Sequence, residues 1–170
     1  MPDDPIITKK IDDFYDLLLE TQKRSGGYPI RSRDSFHRLF EIFKGTNNIA
    51  LFEASFEGEI IVINISQRTK YWSSSFYAGS NRKHSKVKAP YLLRWESIKA
   101  AKKFGSSLYD FWGIVPGSQH KGYSDQKLSF GGVRMDTYGL LALPISPIKY
   151  YLWDIAVKSR TWLAKKRKGI

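Results

Sequence analysis

The first part of the chain repeats its apolar side chains with the period of an α-helix. Over residues 11–24 this spacing predicts an amphipathic helix, which the glycine pair at 26–27 ends. A second helix is predicted from its capping residue Ser32 to the stop at Gly45. The apolar faces of the two helices are formed by Ile11, Phe14, Tyr15 and Leu18 and by Phe36, Leu39, Phe40 and Phe43.

From residue 49 the pattern changes to that of β-strands. Residues 49–56 and 60–65 predict two strands, and Glu57-Gly58 between them predicts a hairpin turn. Residues 69–77 predict the third strand of the same meander. The chain therefore changes from helical to strand structure at this point.

The following segment predicts a βαβ-like crossover. A polar, basic loop over 78–89 leads to Pro90, which suits the first turn of a helix. That helix runs to about Phe104 and has Gly105 as its C-cap. Residues 108–114 predict a short buried strand. Because the loop leads into a helix N-terminus, it would suit an anion or an acyl donor.

The last third of the chain is first rich in glycine and then amphipathic. Residues 113–132 form a glycine-rich segment, residues 133–143 predict another strand, and Pro147 begins a final helix. One side of that helix carries Ile148, Tyr151, Leu152, Ile155 and Trp162, and its basic end carries Lys165, Lys166, Arg167 and Lys168.

This order of elements predicts an α+β fold with a mixed, mostly antiparallel sheet flanked by helices. It matches the Gcn5-related acyltransferase fold. We expect one acyltransferase-like domain over residues 1–170, with its core at about 5–146 and a C-terminal basic amphipathic helix at 147–170.

Composition excludes several kinds of site. The 170 residues are 42% hydrophobic and 15% aromatic, which is typical of a globular chain that buries a core. The absence of cysteine excludes disulfides, thiolate zinc sites and a cysteine nucleophile. His37, His84 and His120 lack the spacing of a catalytic zinc motif, so no metal is expected.

The ends of the chain and its apolar stretches predict a cytoplasmic protein. The first five residues are acidic and interrupted by proline, unlike a signal peptide. The most apolar later stretch, 140–157, contains two prolines and two charged residues and is shorter than the roughly 20 apolar residues of a spanning helix.

The net charge of +12 is unevenly distributed. Residues 1–85 carry a net charge of +1 and residues 86–170 a net charge of +11. Such asymmetry favours a polyanionic partner, namely nucleic acid, a phosphorylated ligand or an acidic membrane face. A solvated basic surface is the alternative.

Basic and aromatic side chains alternate around the predicted crossover helix. The basic residues would suit a phosphate backbone, and Tyr91 with Trp95 a stacking surface. For Trp95, however, we expect packing into the core, because aromatic residues of amphipathic helices usually face inward. The basic cluster consists of Arg82, Lys83, Lys86, Lys88, Arg94, Lys99, Lys102 and Lys103.

Three stretches of sequence together resemble a known family. The first is FYDLL at 14–18, with ET at 20–21 and IRS at 30–32; the second is APYLLRWESIK at 89–99 with YDFWGI at 109–114; the third is Gly122 with KLSFGG at 127–132. In this order and spacing they resemble the FemABX family, the peptidoglycan interpeptide-bridge aminoacyltransferases of the methicillin-resistance factor type. The resemblance covers residues from about 5 to 160.

The resemblance implies a specific reaction. FemABX proteins take an amino acid from aminoacyl-tRNA and attach it to the side-chain amine of a peptidoglycan precursor stem peptide, with neither a metal nor coenzyme A. Lys127 matches the family lysine that supports the tetrahedral intermediate, and it precedes the Phe-Gly-Gly of the motif. Gln126 stands where the family pattern has an aromatic residue. An ordinary exposed loop lysine is the alternative interpretation of Lys127.

Further substrate-binding residues are predicted from these motifs and from the basic cluster. Asp110 is either a buried hydrogen-bond partner, which we favour, or a base for the attacking amine. Gly131 and Gly132 permit a close approach or simply a turn. The full predicted set is Lys88, Tyr91, Arg94, Asp110, Gly113, Phe130, Gly131 and Gly132.

The resemblance also predicts partners. FemABX proteins contain two acyltransferase-like domains, and this chain matches the second. We expect a fragment or one half of a split protein, inactive alone, whose N-terminal domain comes from a partner chain. The basic tail from Lys158 to Lys168 would contact an anionic membrane surface at the inner face of the cell membrane, contact tRNA, or be solvated.

Two other functions compete with aminoacyl transfer. The first is a Gcn5-related N-acetyltransferase that uses acetyl-coenzyme A. Its loop requires glycines whose backbone amides hold the pyrophosphate, and residues 81–89 contain none. The second is a non-catalytic half-domain that binds RNA or a membrane.

Overall fold

The computed structural model describes residues 5–27, 29–114, 121–136, 138–139 and 141–167. The chain divides into two compact units, Met1–Gly132 and Val133–Ile170. In chain order the elements of the first unit are α1 (Pro5–Arg24), α2 (Arg33–Ile42), β1 (Ile49–Phe56), β2 (Glu59–Arg68), β3 (Trp72–Ser80), a short 3₁₀ turn (Ser85–Val87), α3 (Ala89–Phe104), β4 (Leu108–Asp110) and α4 (Lys121–Leu128).

A four-stranded mixed sheet forms the centre of the first unit. Its strand order is β1-β2-β3-β4. β1, β2 and β3 pair antiparallel, and β4 pairs parallel to β3. The predicted α+β class with a mixed, mostly antiparallel sheet is therefore confirmed, whereas the assignment to the acyltransferase-like fold stays a prediction.

The turns of the meander follow from local sequence. Glu57 and Gly58 both have positive φ, at 51° and 79°, which is the conformation of a type I′ hairpin turn. Between β2 and β3, Thr69 closes a second turn, because its N–H and its hydroxyl both donate to the Trp72 carbonyl. β3 consequently begins at Trp72, three residues later than predicted.

One face of the sheet carries an apolar core against α1 and α2. Ile63 and Ile65 of β2 are fully buried with Phe14 of α1 and Phe36 of α2. The Phe36 ring makes edge contacts with Phe14 at 5.1 Å and with Tyr77 of β3 at 5.0 Å between centroids. Both predicted N-terminal helices thus supply the core, and edge contacts of this kind add to the burial of apolar area.

The opposite face of the sheet, under α3, combines an apolar cluster with a row of polar side chains. In the cluster, Ala89 and Leu93 of α3 are buried with Val62 of β2. Asn64 of β2 donates from Nδ2 to the hydroxyls of Ser66 and Ser97, both at 3.0 Å, and its Oδ1 accepts from Ser75. Ser97 in turn donates to the Leu93 carbonyl at 2.9 Å. These hydrogen bonds give Asn64, Ser66 and Ser97 their partners, and the Asn64–Ser97 bond joins α3 to the sheet.

The phenol of Tyr109, in β4, lies at the same row. Burial raises the pKa of Tyr109, and nearby Arg94 and the hydroxyls of Ser66 and Ser97 act in the opposite direction. The phenol therefore stays protonated to a higher pH in the folded chain than in the unfolded chain.

The predicted βαβ-like crossover is confirmed as β3-α3-β4. Pro90 lies in the first turn of α3, and Gly105 ends the helix with φ of 97°. The strand that follows is shorter and more exposed than the predicted buried strand at 108–114. β4 ends at Asp110 because Trp112 adopts φ of 61° and takes the chain out of the sheet.

The second unit contains α5 (Pro147–Arg167), which confirms the predicted final helix over the residues described. Lys168 of the predicted basic end lies outside the described residues. The apolar side predicted for α5 is exposed, for example Ile148 at 76%. None of the helices in the described part of the chain is long and apolar enough to cross a membrane.

The predicted strand at 133–143 is wrong over the residues described. Residues 133–136, 138–139 and 141–143 have no strand pairing, and side chains such as Val133, Met135 and Leu141 are largely exposed. Apolar alternation suits a strand, but a strand also needs a neighbour for its backbone N–H and C=O groups. In the described part of the chain no such neighbour pairs with this segment.

Gly79 of β3 should not tolerate a side chain. A Cβ atom at this position would lie 2.5 Å from the backbone nitrogen of Leu18 and 2.7 Å from the carbonyl carbon of Leu17, both in α1. Gly79→Ala should therefore lower the free energy of unfolding by about 1–3 kcal/mol, measured by denaturant unfolding. Gly122→Ala is the matched control, because nothing lies within 4 Å of the added atom in α4. Equal stability of the two variants would contradict the close approach of α1 to β3.

Tyr109 should make the fold sensitive to alkali. Since its folded-state pKa is raised, the unfolded chain releases the phenol proton first, at a pH of about 10. Stability is therefore unaffected below that pH and falls as the pH rises from there through the folded-state pKa. Tyr109→Phe should lose less of its free energy of unfolding between about pH 8 and about pH 10.5 than the parental chain. Tyr71→Phe, at an exposed position, should behave like the parental chain.

Candidate functional site

Lys127 is a buried cation in α4. Its residue is only 3% exposed, and its Nζ donates to the Gly113 carbonyl at 2.6 Å. The same Nζ lies 4.0 Å from the centroid of the Tyr123 ring, one helical turn earlier. The interpretation of Lys127 as an exposed loop lysine is therefore wrong, and the predicted glycine-rich segment contains a helix.

Asp110 fixes the turn that presents the Gly113 carbonyl. One carboxylate oxygen accepts the backbone N–H of Trp112 at 2.7 Å, and the other accepts the indole N–H of Trp72 at 3.3 Å. The Trp72 and Trp112 rings also meet edge-on at 5.9 Å. One oxygen thus fixes the backbone of Trp112, and the other fixes the side chain of Trp72.

An aromatic ladder leads from the surface to a second, partly buried cation, Arg94. Tyr91 of α3 stacks on Phe130 with 6.1 Å between ring centroids, and Phe130 stacks on Phe111 at 5.5 Å. The guanidinium carbon of Arg94 lies 5.4 Å from the centroid of Phe111. Tyr91, Phe130, Phe111 and Arg94, which we call the aromatic ladder, thus join α3, the segment after β4 and the end of α4.

The glycine pair after α4 has one position that requires glycine. Gly131 has φ of 72°, and its N–H donates to the Leu128 carbonyl at 3.0 Å. This turn reverses the chain and directs Phe130 back to the ladder. At Gly132 a Cβ atom would meet the Phe111 ring at 3.8 Å, which is ordinary contact.

The ladder and Lys127 bring together most of the predicted site residues. Lys88 is not among them, because its side chain is exposed. Lys88 meets the ladder only through its backbone carbonyl, which accepts the Tyr91 N–H at 2.9 Å. Lys88 is the N-cap of α3 and has a left-handed backbone conformation, with φ of 52°. The other predicted site residues all belong to the ladder, to Lys127 and its Gly113 contact, or to the turns beside them. They are Tyr91, Arg94, Asp110, Gly113, Lys127, Phe130, Gly131 and Gly132.

The electrostatics of this site are unbalanced. Within the described residues neither Lys127 nor Arg94 forms an ion pair, and Nη1 of Arg94 is screened from solvent without a hydrogen-bond partner. Desolvation lowers the pKa of Arg94. Holding a buried and a partly buried cation without an anion is unfavourable, so a negatively charged ligand or transition state would be stabilised at this site.

The outer face of α3 is aromatic and basic. Trp95 is 51% exposed, so the expectation that it packs into the core is wrong. It lies one turn from Tyr91 and from Leu92, which are also exposed. Lys99 follows on the same side and pairs with Glu96 at 2.7 Å. We call Tyr91, Leu92, Trp95 and Lys99 the α3 outer face.

Part of the predicted basic cluster is committed to surface ion pairs. Lys83 bonds to Glu59, and the Lys83 ammonium holds the pKa of that carboxyl below its usual value. His84 also faces Glu59, at 3.6 Å, and its ring lies 5.0 Å from that of Phe56. This loop consequently packs back onto β1 and β2.

The described residues contain no cluster of histidine and acidic residues that could hold a metal ion. His120 lies outside the described residues. Sequence reasoning missed Tyr123 as a site residue, although it stands four residues before Lys127 and the helical interval would have paired them. It also missed Phe111 as the centre of the ladder.

The region that contains this site matches a known protein family. No curated protein sequence matches the chain. The model of the FemAB family matches residues 62–158, from within β2 into α5, and this range includes the ladder, Asp110, Gly113 and Lys127. α1, α2 and β1 lie outside the matched range. Because the match covers more than half of the chain, the protein belongs to the FemAB family.

Proposed function

We propose that this chain transfers an amino acid from aminoacyl-tRNA to the side-chain amine of a peptidoglycan precursor stem peptide. Membership of the FemAB family indicates a transferase of peptidoglycan biosynthesis, and the donor and acceptor are the finer part of the proposal. The observation that carries it is Lys127, a cation buried beside the Gly113 carbonyl without a carboxylate partner among the described residues.

The reaction is aminolysis of an ester. The acceptor amine attacks the aminoacyl carbonyl carbon, a C–N bond forms, and negative charge develops on the carbonyl oxygen. As the intermediate collapses, the ester C–O bond breaks, the ribose oxygen leaves with a proton, and the amine loses one. A fixed cation at the developing oxyanion lowers this barrier in a site shielded from water.

Lys127 is arranged for this role. An ammonium group has three N–H donors; one is used by the Gly113 carbonyl, and the Tyr123 ring faces the same nitrogen. These contacts fix the nitrogen without neutralising it, as an anionic partner would. The remaining donor capacity can serve the oxyanion.

The α3 outer face supplies a surface for the RNA donor. Tyr91 and Trp95 are exposed and lie one turn apart, the arrangement on which unpaired bases stack. Lys99 adds positive charge on the same side, and residues 86–170 carry a net charge of +11. We assign the unpaired 3′ end of the tRNA to this face.

Further parts of the proposal rest on the family resemblance. The reaction uses neither metal nor coenzyme A and takes place in the cytoplasm, where charged tRNA is found. A partner chain contributes the N-terminal acyltransferase-like domain, and α5 contacts the anionic inner face of the membrane through Lys158 and Arg160. The lack of glycine in residues 81–88 argues against a coenzyme A pyrophosphate at the start of α3.

Lys127→Met should abolish transfer while preserving the fold. Removing an oxyanion donor typically lowers the rate by about 10²–10³, and replacing an unpaired buried cation by an apolar side chain of similar length should not reduce stability. The measurement is single-turnover transfer of a labelled amino acid from charged tRNA to a nucleotide-linked stem peptide, by the chain together with the partner chain that contributes the N-terminal domain. Lys10→Met, at a lysine that pairs with Glu53 on the surface, is the control. A rate for Lys127→Met close to that of the parental chain would reject the oxyanion role.

Trp95→Ala should weaken binding of charged tRNA by about tenfold, the effect of losing one stacked base. The affinity of the parental chain should fall steeply with salt, and Trp95→Ala should leave that slope unchanged, because stacking releases no counterions. Filter binding at several salt concentrations measures both quantities, with Tyr71→Ala, another exposed aromatic position, as the control. Tight binding of acetyl-coenzyme A without preference for charged tRNA would instead support an acetyltransferase.

A further inference from the structure

We propose that Arg94 binds a carboxylate group of the acceptor peptide, next to the place where Lys127 meets the reacting carbonyl. The inference rests on the proposed function, since it takes the acceptor to be a peptide. It differs from the expectation that Arg94 belongs with the surface lysines of the basic cluster.

Arg94 lies inside the site rather than on its rim. It follows the buried Leu93 in α3, and its guanidinium carbon is 5.4 Å from the Phe111 centroid. Its neighbours on α3, Leu92 and Trp95, are exposed. Arg94 is therefore the inward basic residue of a helix whose other basic side chains face water, as Lys99 and Lys102 do.

Arg94 forms no ion pair among the described residues, and the two carboxylates of α3 and β4 have other partners. The oxygens of Asp110, close by at the end of β4, accept from Trp72 and Trp112. Glu96, on α3 itself, pairs with Lys99. The Nη1 atom is left without a partner in a screened position, and a ligand carboxylate would supply both the missing acceptor and the missing charge.

Tyr123 connects the two cations. Its ring lies under the Lys127 nitrogen at 4.0 Å, and its phenol group interacts electrostatically with Arg94. Arg94 contacts Phe111 and Lys127 contacts Gly113, two residues further along the chain, so both cations meet the same short segment after β4. A peptide held by its carboxylate at Arg94 would be oriented by that contact, and its amine would be confined near the carbonyl that Lys127 stabilises.

The chemistry favours a carboxylate over an RNA phosphate. A guanidinium presents a planar fork that matches the two oxygens of a carboxylate. A carboxylate at the end of a chain can enter a screened position, whereas a phosphodiester carries a nucleotide on each side. The phosphates of an RNA can instead bind the exposed lysines of α3.

The test is equilibrium binding of two probe peptides to the full chain. The probes are Nα-acetyl-Lys-Ala-Ala with a free C-terminal carboxylate and the same peptide as its C-terminal amide. The parental chain should bind the acid at least tenfold more tightly than the amide. Arg94→Gln should reduce this preference to about one, and Arg94→Lys, which keeps the charge but not the fork, should retain an intermediate preference. Arg38→Gln makes the same change at an exposed position of α2 and should keep the full preference.

Each outcome bears on the proposal. Equal binding of acid and amide by the parental chain overturns it without any variant, and so does an unchanged preference in Arg94→Gln. If Arg94→Gln unfolds the chain, Arg94 is a structural residue and the proposal is also rejected, because a cation awaiting a ligand is not required for folding. A chain that prefers the acid but transfers no amino acid from tRNA even with its partner chain present would reject the proposed function and retain the peptide carboxylate site.

Discussion

The parallel pairing of β4 with β3 is the constraint on which the candidate site depends. It involves only three residue pairs, and the last of them places Asp110 beside Ser74. From that position Asp110 reaches the Trp72 indole and the Trp112 backbone, which directs the Gly113 carbonyl toward Lys127. Two parallel strands need a connection that crosses the sheet, and α3 is that connection. Because Arg94 and Tyr91 are residues of α3, the connection also places them at the site.

Within the described part of the chain, the site holds positive charges without an anionic partner, and this lowers the stability of the fold. Elsewhere in the first unit, Arg33 pairs with Asp12 and Asp16 at the surface. At the site, Lys127 has a carbonyl and a ring, and Arg94 has a ring. Groups of this kind are retained where a ligand or a transition state supplies the missing charge.

Single residues in the sequence predicted the ends of those elements that depend on a special backbone conformation. Pro90 and Gly105 marked the two ends of α3, and Glu57-Gly58 marked the hairpin, because each position requires a special backbone conformation that few residues provide. α4 was missed because Gly122 within it has low helix propensity, and because the contact of Lys127 with Gly113, which depends on the tertiary fold, is not encoded in the spacing of apolar residues.

The errors in the second half have a common origin. The apolar alternation at 133–143 suggested a strand, and the position of Trp95 on a helix suggested a core residue. In both cases the sequence specifies an apolar surface without specifying what covers it. The identity of Lys127 as a site residue came from the family resemblance, and its burial and its partners came from the structure alone.

The two faces of the sheet differ in how firmly their helices are held. α1 buries Ile11, Phe14 and Leu18 against β2 and β3, and its backbone approaches Gly79 so closely that no side chain fits between them. α3 rests on the Asn64–Ser97 hydrogen bond and on the smaller apolar cluster that Ala89 and Leu93 form with β2. Opening fluctuations should therefore separate α3 from the sheet at a lower free energy than α1. The amides of α3 should exchange with solvent earlier than those of α1, and a substrate could reach Arg94 through such an opening while the core that defines the fold stays closed.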